Sequence, residues 1–392
     1  MITPKHGSAE NRNDKWWVAL IGSGIALSPI HNQRLTDLAT NSRGEVVFFL
    51  PAFGYLLLIM GTGMFLLNNW KRVREVGWGD RKITIPLIII VAAMSLSGIT
   101  AGSFTEGIAP LGMGLSLFAM YVAARVLGKD VFLPLAIGAA IASSGVIVHD
   151  VVNNQWTVTG GLVFEYNFDI LTGYVFLGAA LFFHKYRWVL SGLALIGLLL
   201  SGSPEAIPPL GVIGVAVLVR KDWSKRFIAV SAITVCIIVV VVAAGKGTNL
   251  YDYLWRTINN DTAMVNSAFP DGTAVSGSPL GFRWEQITRA MTNLKPLGDG
   301  YNATEFTLDT VHNVPLILVQ QMGYPGILAA LAWLWVTLWA LFRTRWKYVW
   351  LLIITLSVFD HYIWDQLGPV WWTALGASMT SRVPDTLFKE VT

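Results

Sequence analysis

The chain has 392 residues, of which 54% are hydrophobic and only 13% charged, about half the charged share of an ordinary soluble domain. That composition excludes a soluble globular protein and points to a polytopic membrane protein. The net charge is +4, but the basic residues are spread over short loops rather than gathered on one face, so nucleic acid is not expected as a partner.

In chain order, apolar runs able to cross about 30 Å of hydrocarbon occur at 16–30 (weak), 45–68, 83–101, 108–127, 131–149, 168–184, 187–202, 206–220, 226–244, 314–342 and 347–364. A twelfth, short and Trp-rich, covers 368–379 and is expected at the membrane interface. The first run follows a polar, charged segment without a small-residue cleavage signal and is expected to be a retained helix. The predicted fold class is therefore an all-α integral membrane protein of about 11–12 transmembrane helices, with 1–392 forming one polytopic domain. Cys236 is the only cysteine, which excludes an intrachain disulfide and a cysteine metal site.

Charge orients these spans. Lys71, Arg72, Arg74, Arg81 and Lys82 follow the second span, Lys185 and Arg187 the sixth, and Arg343, Arg345 and Lys347 the tenth. The alternate connections 102–107, 150–167 and 201–206 hold no Lys or Arg; 31–44, with Arg34 and Arg43, is the less regular one. Cytoplasmic loops are the ones enriched in Lys and Arg, so the N-terminus is predicted inside and the long polar loop 245–313 outside. The expected location is the cytoplasmic membrane, with the active face outward.

Within that loop, 250–260 has helix-compatible aromatic spacing, and 266–279 is rich in Gly, Ser and Pro and reads as irregular. A second amphipathic helix is predicted over 280–294, with Phe282, Ile287 and Met291 on its apolar side. Arg283 and Arg289, six residues apart, would stand about 120° apart around it and flank a site. Glu106, His149, Asp150, Glu165, Asp169, Glu205, His312, Asp360, His361 and Asp365 gather on the same outer face. For each alone a solvated helix end is the plain explanation, preferred here for Glu106, Asp150 and Asp365; the gathering on one face is harder to explain that way.

The pair His312-Asn313 opens the apolar run 314–342. A neutral imidazole can accept a proton near pH 7, which few side chains do. A nearby pair of guanidinium groups can grip a diphosphate in two-pronged fashion. Each residue also has a structural explanation. Asn313 is a favoured N-cap, the arginines fit a surface helix on lipid headgroups, and Gly298 and Gly300 fit a simple turn. Asp360-His361 with Trp364 is either an acid–base pair or, preferred here, part of an aromatic belt.

The run from His312 to Gly326, HNVPLILVQQMGYPG, resembles the signature of the O-antigen ligase and O-antigen polymerase superfamily. His312, Asn313, Leu316, Gly323 and Gly326 match, while Gln321 stands where that family usually has Glu. FRWEQ (Phe282 to Gln286) and PLGDG (Pro296 to Gly300) resemble its arginine–tryptophan segment and Gly-x-Gly turn, and FEYN (Phe164 to Asn167) its Phe-x-x-Asn helix start. The family's Ser-Arg-Gly is replaced by Ser201-Gly202-Ser203-Pro204-Glu205, which has no arginine. The resemblance covers roughly 164–326.

It implies an inverting, metal-independent membrane glycosyltransferase without a cofactor. Such an enzyme takes a glycan from a polyprenyl diphosphate carrier to a hydroxyl on a glycan, lipid or protein acceptor. It implies catalytic roles for His312 and Asn313 and donor-binding roles for Arg283, Arg289 and Trp284. Asn167, Gln321, Gly298, Gly300 and His361 would support them. The alternative is a transporter or flippase for lipid-linked sugars or other anions, which should carry paired broken helices near the midplane. Pro208-Pro209 is one such break. The predicted topology has a direct check: a cysteine at Ser276 should react with a membrane-impermeant reagent in intact cells, and labelling only after permeabilisation would invert every assignment above.

Overall fold

The computed structural model describes residues 36–40, 46–50, 53–76, 78–100, 104–131, 189, 265–268, 274–277, 279–300, 311–359, 363–364 and 368–379. The spans expected at 16–30, 131–149 and between 168 and 244, and the helix expected at 250–260, lie outside these residues, apart from the lone residue 189. So do Asn167, His149, Asp150, Ser203, Cys236 and His361.

Helices make up nearly all of the described part: α1 (Phe53–Asn68), α2 (Trp70–Val76), α3 (Arg81–Ser97), α4 (Phe104–Leu127), α5 (Pro279–Thr292), α6 (Val314–Arg343), α7 (Lys347–Phe359) and α8 (Gly368–Met379). Two short antiparallel ladders accompany them, β1 (Thr36–Thr40) with β2 (Val46–Leu50) and β3 (Val265–Ala268) with β4 (Ala274–Gly277). These correct two expectations. The apolar run 45–68 is not one span: VVFFL forms β2, and Pro51 separates it from α1. The stretch 266–279 is not wholly irregular but holds the β3–β4 hairpin.

Two of the described helices are long and apolar enough to cross a membrane, α4 over 110–127 and α6 over its full length. The outer face of α6 supports that reading. Tyr324, Leu328, Leu331, Trp335, Leu338 and Phe342, spaced four and three residues apart in turn, are exposed. Gly326, Ala329, Ala330, Trp333, Val336, Thr337 and Ala340 face inward and are buried. The apolar stripe rises about 27 Å at 1.5 Å per residue, close to the thickness of a hydrocarbon layer. Ile85 and Ile88 on α3 and Leu111 and Leu115 on α4 are exposed as well, a larger apolar surface than water usually tolerates.

The pairing of α6 with α3 turns on a proline. Asp80 caps α3, its carboxylate accepting the Lys82 N–H at 3.0 Å. Pro86 inside the helix has no N–H to give the Lys82 carbonyl one turn earlier. The Trp335 indole of α6 donates to that carbonyl instead, at 2.9 Å.

The centre of the described bundle is α8, and this overturns the interfacial placement expected for it. All twelve of its residues are buried, as befits a helix that is apolar all round. Gly376 lets α8 lie directly on α4, since a Cβ there would overlap the Tyr121 carbonyl oxygen. The Trp371 ring stacks on Trp333 of α6 (centroids 5.9 Å apart) and meets Trp350 of α7 edge-on (6.5 Å). Its indole N–H donates to Thr337 Oγ1 at 3.2 Å, and that of Trp350 to Ser378 Oγ at 3.1 Å.

The last apolar run is also shorter than expected, since α7 ends at Phe359 rather than continuing to 364.

Candidate functional site

The site is built where α6 is broken. Gly323 sits at φ 63°, ψ −138° inside α6, so the helix consists of a short first part, 314–322, and a long second part, 324–343. Pro325 follows at once, in the first turn of the second part, where proline is tolerated. A break of this kind orphans carbonyls of the first part and N–H groups of the second.

The segment between α5 and α6 satisfies them. Asp299 N–H donates to the Gln320 carbonyl and Gly300 N–H to the Gln321 carbonyl, each at 3.0 Å, while the Pro296 carbonyl accepts from Tyr324 N–H at 2.9 Å. In an unbroken helix Gln320 O would take the Tyr324 N–H, and Gln321 O has no donor at Pro325. The segment replaces both bonds.

Glycine is required on both sides of this splice. Gly298 has φ 77°, and a Cβ on it would overlap the Gln321 backbone. A Cβ on Gly323 would in turn overlap the Gly298 nitrogen and the Pro296 carbonyl. Gly326 is equally tight, against the Leu318 carbonyl. The structure thus brings together Gly298, Gly300, Gln321 and Gly323, which the sequence placed in two separate segments.

Gln321 is fully buried. Its Oε1 accepts the Trp364 indole N–H at 3.1 Å. An indole nitrogen only donates, so Nε2 must point the other way, and it has no hydrogen-bond partner among the described residues. Trp364 is 2% exposed. It is a buried hydrogen-bonding residue, and its expected place in an aromatic belt is corrected.

The start of α6 is equally constrained. Asn313 is the N-cap: its Oδ1 accepts the Leu316 N–H at 3.2 Å, and its Nδ2 donates to the Val358 carbonyl at the end of α7 at 3.0 Å. Each end of this side chain thus makes one backbone hydrogen bond, which fixes the helix start. On the other side of His312, the buried Gln320 accepts the Val311 N–H through Oε1 at 3.2 Å. Partly exposed His312 is therefore held between two anchored neighbours.

On α5 the predicted helix is present; among its residues with described side chains Gln286 is buried, while Ile287 and Met291 are half-buried. Trp284 is 70% exposed. Arg289 pairs with Glu285 one turn earlier at 3.0 Å. Partly exposed i,i+4 pairs of this kind contribute only about 0.3–0.5 kcal/mol. Arg283 lies on α5, at the helix positions expected.

Sequence reasoning missed Lys295 and Gln320; it named Pro296 only as the start of a turn motif and Trp364 only as part of an aromatic belt. Lys295 forms an ion pair with Asp299 at 2.8 Å, straddling the glycine turn. The Trp364 bond joins residues 43 apart in sequence, a range over which no local pattern announces a contact. Compared with known proteins, the chain matches no family model and no curated protein.

The splice makes a sharp expectation. Gly298→Ala and Gly323→Ala must each place a methyl inside backbone and hold a non-glycine residue at positive φ, costing at least about 1–3 kcal/mol. Thermal unfolding in detergent should show a clear loss of stability for each. Gly63→Ala, whose Cβ meets nothing within 4 Å, should unfold like the parent. Equal stability of all three would mean that the segment does not lie in the break.

Proposed function

We propose that the chain is a membrane glycosyltransferase acting at the His312 end of α6, on the outer face of the cytoplasmic membrane. It transfers a glycan from a polyprenyl diphosphate carrier to a hydroxyl on a glycan, lipid or protein acceptor, in the manner of O-antigen ligases and polymerases. The acceptor oxygen attacks the anomeric carbon from the face opposite the leaving group. As the new C–O bond forms, the bond to the diphosphate oxygen breaks and its electron pair departs with the carrier. The hydroxyl proton passes to His312 as general base. Arg283 and Arg289 compensate the diphosphate charge, and Trp284 offers an exposed ring to the donor. No metal is required where guanidinium groups do that work.

One observation supports this reading above the others: the 296–300 segment, three residues beyond α5, is hydrogen-bonded into α6. The arginine-bearing helix and the histidine-bearing helix start are thereby tethered to one rigid splice. Catalysis between two bound substrates needs that fixity more than it needs any single side chain.

The broken helix itself favours the other reading, a transporter, because carriers of that kind bind substrate at discontinuous helices. Two features weigh against it. The backbone groups at the break are bonded to the 296–300 segment and are not open to a substrate. The part after the break, 324–343, is by itself about 30 Å long, enough to span the hydrocarbon, which puts the break at its edge rather than at the midplane.

Transfer from a purified lipid-linked oligosaccharide, read as release of polyprenyl diphosphate, tests the proposal. His312→Ala should lower turnover by about 10²–10⁴-fold, the range a general base contributes, with the protein still folded. Near-normal turnover would reduce His312 to a structural residue. Arg283→Lys and Arg289→Lys keep the charge but lose the two-pronged geometry, so donor affinity should fall in both. Normal donor binding by both variants would move the diphosphate site elsewhere.

A further inference from the structure

The end of the α3–α6 pair opposite His312 carries a second built surface. Between Trp70 and Lys82 stand five cations against two acids, Glu75 and Asp80. Lys71, Arg74, Arg81 and Lys82 are exposed. Interleaved with them, the Trp70 and Trp78 rings are 60% and 63% exposed, whereas α2 buries only Val73. Exposed aromatics among cations beside a membrane-crossing helix have the composition of an interfacial anchor.

This surface is held in shape, unlike a floppy basic loop. Thr84 Oγ1 donates to the Trp78 carbonyl at 2.8 Å, the Asp80 carboxylate accepts the Lys82 N–H, and Trp335 donates to the Lys82 carbonyl. The Trp78 ring packs 5.6 Å from Phe118 of α4. Gly79, at φ 106°, leaves room for the Arg125 guanidinium, which lies 6.0 Å from the centre of the Tyr121 ring. The C-terminal end of α6 adds exposed Arg343 and the start of α7 exposed Lys347.

We propose that this pinned aromatic–cationic rim, 70–82, is a binding site for the headgroup of an anionic phospholipid. The phosphate and its net negative charge would sit among the exposed cations, and the acyl chains would run along the exposed apolar faces of α3 and α6. Charge complementarity selects the partner, since a zwitterionic headgroup gains little from a surface with three net positive charges over 70–82. Each cation near an anionic membrane surface favours binding by roughly fivefold. The inference needs only the membrane-crossing helices and is independent of glycan transfer.

The test is native mass spectrometry of the purified full-length protein in mixed micelles of phosphatidylglycerol and phosphatidylcholine, where membrane orientation plays no part. The parent should retain phosphatidylglycerol preferentially. The variant K71Q/R74Q/R81Q/K82Q should lose that preference by about tenfold or more with phosphatidylcholine retention unchanged. The contacts at Lys82 are backbone contacts, so α3 should start as before. Should this variant not fold, K71Q/R74Q on exposed α2 positions carries the same comparison. Trp78→Ala, with every charge kept, should also weaken retention. Equal retention of both lipids by the parent, or a parental preference in the glutamine variants, would overturn the site. Unchanged retention by Trp78→Ala would reduce it to diffuse attraction, and displacement of the lipid by millimolar inorganic phosphate would make it a plain anion site instead.

Discussion

Backbone hydrogen bonding at the break in α6 governs how the rest of the described structure is arranged. A helix interrupted in apolar surroundings exposes carbonyl and N–H groups that each cost several kcal/mol if left alone. Here three of them are satisfied by Pro296, Asp299 and Gly300. The price is strict: two backbones must approach closer than any Cβ allows, and both partners are glycine. Once this splice has formed, the end of α5 cannot move away from α6. The start of α6 is fixed separately, through Asn313 to α7 and through Gln320 to Val311. The described backbone on either side of His312 is thereby held in place.

The same rule recurs away from the site. Pro86 withholds a donor from the Lys82 carbonyl, and Trp335 supplies one from the neighbouring helix. Trp371 and Trp350 bury large rings in the bundle and place their N–H groups on Thr337 and Ser378. Lipid does not drive helices together as water does, so close approach and interhelical hydrogen bonds carry the association. Gly376 on the Tyr121 carbonyl is the close approach, and the tryptophans supply the bonds. The all-buried α8 lies mainly against α4 and touches α6 and α7 through Trp371 and Ser378, while α6 and α7 also pack on each other directly.

These features explain what could be read from the sequence and what could not. Long apolar periods located α3, α4, α6 and α7 to within a few residues, apart from the early end of α7 at Phe359. The Asn313 cap and the α5 helix were also legible, because capping and amphipathic spacing are local signals. The strand β2 was hidden by its own apolarity: VVFFL continues the hydropathy of α1, and only Pro51 and its β-branched and aromatic residues hinted at a different backbone. Length and tryptophan content suggested an interfacial α8, yet small residues and apolar character on every side decided for the core. Trp364 misled in the same way. Gly298, Gly300 and Gly323 were visible as motif glycines, but their partnership joins segments more than twenty residues apart in sequence. Periodicity carries no information about contacts at that range.

The position of the break along α6 bears most on what kind of protein this is. Had Gly323 stood in the middle of the apolar stripe, an interrupted helix would have placed polar backbone at mid-membrane, the arrangement suited to passing a solute across. Instead the exposed stripe begins at Tyr324, one residue beyond the break, and runs unbroken to Phe342. Everything before it, from Val314 to Met322, is buried or partly buried in protein. The helix thus divides into an anchor long enough to span the hydrocarbon and a short, protein-enclosed head that presents His312. A short head with the polar pair His312-Asn313 at its start and Gln320-Gln321 near its end is compatible with the proposed reaction on the water-facing end of a lipid-borne molecule. In the proposed reaction the diphosphate and the acceptor hydroxyl would meet there without either having to enter the hydrocarbon.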